Sequence, residues 1–180
     1  MMELVNIKKN RISCILLIIC LLSGVADKLF GQDKLNITCS FGVPELVNGG
    51  VRLPFNQSQL GISFGILPLQ GESIISTSVD YYYHFKGQSE FSKRRVWYGR
   101  LGLDYLRDES KTLIDKYLYF TTRIGKDINF SKRFGINADA GLGFQLYNET
   151  IRKVPQTSGF NLDLEFPIIP AFGLCLFYRI

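Results

Sequence analysis

Apolar residues recur at every second position through most of this chain. The clearest stretch is 134–146, where Phe134, Ile136, Ala138, Ala140, Leu142, Phe144 and Leu146 alternate with Gly135, Asn137, Asp139, Gly141, Gly143 and Gln145. A helix turning every 3.6 residues would scatter both sets around its axis, so the pattern predicts a strand with two unlike faces. Seven further segments alternate in the same way, at 35–43, 51–55, 60–66, 75–85, 97–105, 117–124 and 172–180. A ninth alternation, of Phe160, Leu162, Leu164 and Phe166 with Asn161, Asp163 and Glu165, runs into Pro167 and Pro170. Proline donates nothing to a ladder, so 160–170 reads as a kinked extension of the last strand. The expectation is an all-β, antiparallel up-and-down barrel of eight strands, with ten as the alternative count.

The connections then sort into two sets. Those at 55–58, 86–95 and 126–133 lie at the end of the barrel where the chain terminates, and those at 44–50, 67–73, 107–116 and 147–160 at the other. This places Tyr83, Phe85, Trp97, Phe134 and Tyr178 on the apolar face at the terminal end, as an aromatic belt at one membrane interface would be. Period two does not say which face points inward. A lipocalin-like soluble barrel buries its apolar face around a small ligand, whereas a transmembrane barrel turns that face to lipid. Here the polar face is rich in Gly, Ser, Asn and Asp, which suits a narrow lumen and would make a soluble surface short of Lys and Glu. The membrane arrangement is therefore expected.

Composition changes this picture only at the N-terminus. Lys8, Lys9 and Arg11 precede the apolar stretch 12–26, which is shorter than the ~20 residues a membrane helix needs. Basic residues, a short apolar core and then small residues make the pattern of a secretory signal peptide. It would span 1–31, with cleavage after Ala26 or Gly31, and leave a barrel domain of 32–180. Its removal takes four of the 21 basic and two of the 16 acidic side chains, leaving a net charge of +3. Such a balance gives no nucleic-acid footprint, and the run Lys93-Arg94-Arg95 reads as a solvated turn. Of the remaining cysteines, Cys39 has apolar-face parity and Cys175 polar-face parity. Two free thiols are expected, because a disulfide needs its Cβ atoms close together.

Residues 171–180 (AFGLCLFYRI) resemble the C-terminal assembly signal of bacterial outer-membrane barrels, with Gly173, Leu176, Tyr178 and Ile180 in the matching places. Ile180 stands where those signals commonly carry an aromatic residue, and Ala171 where they carry a polar one. The whole chain after the signal segment is similar to the small outer-membrane barrel domains of Gram-negative bacteria. That resemblance implies the outer membrane as location and its bilayer, periplasmic chaperones and the barrel-assembly machinery as partners. It leaves any extracellular partner unknown.

Candidate chemistry is sparse. On the membrane arrangement the inward set holds Arg52, Asp80, His84, Arg100, Asp104, Arg123, Asp139 and Arg179, which must pair because an isolated buried ion is very costly. An internal salt-bridge lattice closing the lumen is expected, with an ion path as the alternative. His84, Asp80 and Ser78 share a strand face, but same-face neighbours lie roughly 6.6–6.8 Å apart, beyond hydrogen-bond reach. No catalytic set, cofactor site or metal site is expected: one histidine and two dispersed cysteines do not make a zinc set, and Gly141-x-Gly143 sits within a strand. The function expected is a structural or surface-interaction role through the outer loops, with 147–170 and its Arg152, Lys153, Asp163 and Glu165 as the contact surface. A lipid-modifying membrane enzyme and a secreted lipocalin-like binder are the alternatives.

Overall fold

The computed structural model describes residues 35–69, 72–153 and 167–180. The expected signal segment and Phe160, Asp163 and Glu165 lie outside the described residues. Among the described residues eight strands follow one another without helices: β1 (Asn36–Val43), β2 (Leu46–Phe55), β3 (Ser58–Leu69), β4 (Glu72–Lys86), β5 (Trp97–Ser110), β6 (Leu113–Asn129), β7 (Phe134–Arg152) and β8 (Ile168–Arg179). Each pairs antiparallel with the next, and β8 returns to β1 through Asn36↔Arg179 to Val43↔Phe172. Closure leaves no free edge along the paired length, which is how an all-β chain avoids an aggregation-prone rim.

The facing is decided by burial. Along β5, Tyr98, Arg100, Gly102 and Asp104 are buried while Trp97, Leu101, Leu103 and Tyr105 are exposed. The same division runs round the barrel: Ile62, Phe64, Val79, Ile124, Leu142, Leu174 and Leu176 all point outward, and the lumen is filled with polar and charged side chains. This inverts a soluble protein, in which ionised groups are almost never fully buried. A lipocalin-like apolar lumen is therefore not what this chain builds.

The connections opposite the termini are much shorter than the alternation suggests. The stretch 44–50 contracts to Pro44 and Glu45, and 107–116 to Lys111 and Thr112. β3 runs to Leu69, β4 starts at Glu72, and β7 continues to Arg152. Apolar alternation stops where the strands leave the apolar band, but backbone hydrogen bonding does not. Ion pairs lace this extension, Lys116 to Glu149 at 2.8 Å and Lys153 to Glu109 at 2.7 Å. A bulge sets Leu118 and Tyr119 against Tyr147 and Gln145, so Leu146 is the extra residue. Beyond it Tyr147 takes the outward parity, as a one-residue insertion requires. At the terminal end β6 runs on to Asn129, so Asp127 belongs to a strand and not to a turn.

Candidate functional site

Among the described residues the lumen gathers the buried charged side chains. Its walls come from alternate positions of every strand, and its centre is crowded because glycines face it. A Cβ on Gly125 would lie 2.4 Å from the Tyr98 ring and 2.7 Å from Asp139, and one on Gly102 would lie 2.5 Å from the Thr121 hydroxyl and 2.6 Å from Asp80. Glycine at these inward positions makes the room that the large polar side chains occupy.

Arg100 on β5 is the hub. Its Nε donates to Asp80 Oδ1 at 2.8 Å and its Nη2 to Asp80 Oδ2 at 2.9 Å, the bidentate arrangement guanidinium favours. It also pairs with Glu45, and its Nη1 lies 3.5 Å from Asp139. Arg123 on β6 donates to Glu45 Oε2 at 2.7 Å and to Asp139 Oδ1 at 3.3 Å. Tyr98 donates its hydroxyl to Asp139 at 3.0 Å, and Ser78 donates to Asp80 at 3.1 Å. Asp104 is fully buried and joins through the Thr121 hydroxyl, which donates to it at 2.8 Å.

Glu45 is the member that strand parity does not reveal. It sits in the two-residue turn between β1 and β2, which folds into the lumen; its side chain reaches Arg100 and Arg123, and its carbonyl accepts the Ser76 hydroxyl at 2.7 Å. Glu45 thus ties the turn to β5 and β6 through its carboxylate and to β4 through its carbonyl. The following Leu46 adopts φ of 59°, a left-handed conformation uncommon for a bulky residue. The space beside Glu45, Arg100, Arg123 and Cys175 amounts to about 10 Å³, at the lower limit for one water molecule. The carboxylates of Glu45, Asp80 and Asp104 approach within 4.8 Å of one another. Arg100 already engages the first two, so guanidinium holds the place a cation would take.

The other inward residues form a second layer toward the chain ends. Arg52 lies 4.3 Å over the Tyr82 ring and donates to the Cys175 thiol at 3.1 Å. Arg179 reaches Asn129 and the Lys132 carbonyl and stands 4.7 Å over Phe177. His84 donates from Nδ1 to the Arg95 carbonyl at 2.7 Å, packs on Tyr98, and keeps Asp127 at 4.0 Å. Since a carbonyl only accepts, Nδ1 carries the proton, and Asp80 is occupied by Arg100. Ser78, Asp80 and His84 consequently form no relay. Arg94 turns into the barrel while Lys93 and Arg95 stay exposed, so that basic run is not wholly solvated.

Tyr83, Phe85, Trp97, Phe134 and Tyr178 are exposed on the outward face at the terminal rim, and Trp97 carries Lys126 at 5.5 Å over its ring. Gly173, Leu176 and Tyr178 lie on β8 with Ile180 just past it; Gly173 faces Gly42 of β1, and Leu176 and Tyr178 face Cys39 and Ile37. Cys39 is exposed, Cys175 is buried, and both thiols are free.

No protein-family model and no curated protein sequence matches the chain. Among solved structures, CarO2 of Acinetobacter baumannii superposes with a TM-score of 0.50 at 10% identity, over 83% of this chain and 100% of that one. CarO of the same organism gives 0.48 at 9% identity, over 82% and 98%. At this identity the likeness to CarO2 is one of fold.

Proposed function

We propose that this protein is an integral outer-membrane barrel, exported by its N-terminal segment, with a lumen closed by its own charges and a non-enzymatic role in contacts made by the outer end. The observation that carries the closed lumen is Glu45, which draws a turn into the barrel and bridges Arg100 and Arg123. An eight-stranded barrel has an interior about wide enough for side chains alone, and this lattice occupies it. The apolar outward face supports the membrane, and the aromatic rim supports an interface belt with the termini in the periplasm. Residues 171–180, the end of β8 and Ile180, would serve as the assembly signal. Contacts with other molecules fall to the outer connections, since loops on a rigid scaffold usually carry binding; Arg152 and Lys153 begin the longest of them.

Two measurements test this. The folded protein should sediment with outer membranes and change its gel mobility on heating; a soluble, heat-indifferent protein would end the membrane reading. In planar bilayers the purified barrel should show no stable conductance, and steady porin-like steps would overturn the closed lumen.

A further inference from the structure

The outward face carries a recess of about 500 Å³ on β4–β7. It arises where small residues interrupt the apolar band. Gly99 faces Tyr83 on one side and Ile124 on the other, and Ile124 is followed round the barrel by Ala140. A Cβ on Gly99 would meet nothing within 4 Å, unlike those on the crowded inward glycines. The exposed lining is mostly apolar, with Leu101 and Leu142 toward the outer end and Tyr83 toward the terminal end, while Thr122 and the lumen-facing Arg100 and Arg123 border it.

The terminal mouth of this recess is basic. Lys126 follows Ile124 by two on the same face of β6 and pairs with Trp97, its Nζ poised 5.5 Å over the indole. Around it the exposed charges of strand ends and connections 86–97 and 126–134 are Lys86, Lys93, Arg95, Lys126, Lys132 and Arg133, against Glu90 as the exposed acid. The opposite rim differs, because Arg107, Lys116 and Lys153 there are held by Glu109 and Glu149.

We infer that the recess seats an anionic phospholipid of the terminal-side leaflet, one acyl chain lying over Gly99 and Ala140 and the headgroup phosphate against Lys126. An apolar trough opening on an uncompensated cation matches that amphiphile in both shape and charge. The inference rests on the membrane reading.

Trp97 is the single tryptophan of the chain and lies at the mouth, so it reports the site directly. The full mature protein is folded into phosphatidylcholine vesicles containing equal small fractions of either bromine-labelled phosphatidylglycerol or bromine-labelled phosphatidylcholine. Quenching should show phosphatidylglycerol preferred by about fivefold, the factor expected for one basic side chain at an anionic lipid surface. Lys126→Gln should bring the preference to about one, and Lys126→Arg should keep it. Gly99→Leu, which has room for its side chain, should abolish the preference by filling the trough. Equal quenching by both lipids in the wild type would overturn the seat, and so would a preference that survives Gly99→Leu, which would mean diffuse attraction to the rim. Absence of quenching by either lipid would mean no insertion, and would bring down the membrane reading and the seat together.

Discussion

At the scale of single residues, the lumen depends on how few partners each charge can lose. Glu45→Ala removes one partner from both Arg100 and Arg123, yet Arg100 keeps Asp80 and Arg123 keeps Asp139. The expected cost is at the lower end of the ~3–5 kcal/mol that follows breaking a buried ion pair. The more telling effect is that the turn loses its anchor, so Glu45→Ala should give measurable conductance in bilayers where the wild type should give none. An electrically silent, fully stable variant would show that Glu45 is not the closure. Glycines supply a second contrast. Gly125→Ala forces a Cβ into Tyr98 and Asp139 and should cost about 1–3 kcal/mol in urea unfolding from bilayers. Gly99→Ala, with open space around it, should fall within about ±0.5 kcal/mol.

At the scale of elements, strand length and apolar pattern separate. β6 and β7 run to 17 and 19 residues, longer than the ~9–11 that cross a hydrocarbon core. Their outer halves are held by backbone pairing and by solvent-accessible ion pairs such as Lys116–Glu149, which water and salt screen to a small contribution. The extension is thus expected to be dispensable for folding. Excising 108–115 and rejoining the β5–β6 hairpin by a two-residue turn should leave the heat-modifiable folded band in place; loss of that band would make the extension part of the folding core. Alternation read from sequence ends these strands early because side chains outside the apolar band no longer need two unlike faces, while the ladder continues regardless. Asp127 falls outside the expected inward set for this reason, although it continues the parity of Arg123.

At the scale of the whole molecule, the barrel is a protein turned inside out, and its two cysteines test that. Cys39 points outward within the apolar band and Cys175 points into the lumen beside Arg52. In vesicles a lipid-soluble maleimide should label Cys39 alone, a charged, membrane-impermeant maleimide should label neither, and unfolding should expose both. Rapid labelling of Cys175 in the folded state would mean an open lumen, and labelling of Cys39 by the charged reagent would place that face in water.

Eight strands, their faces and the inward placement of Arg52, Asp80, His84, Arg100, Asp104, Arg123, Asp139 and Arg179 are all legible in the sequence. A strand's faces are dictated by residue parity, and parity is local. Which inward charges meet is not local. Asp80, Arg100, Arg123 and Asp139 converge because four strands close at a particular stagger, whereas Arg52, His84 and Arg179 fall in another layer. Glu45 has no parity at all, since a turn residue belongs to neither face. Its place at the centre of the lattice follows from closure of the barrel, which brings the β1–β2 turn over arginines 55 and 78 residues away along the chain. The recess at Gly99 has the same origin: alternation assigns Gly99, Ile124 and Ala140 to the outward face, but only the register of β5, β6 and β7 sets the two small residues on either side of Ile124, two positions along β6 from Lys126.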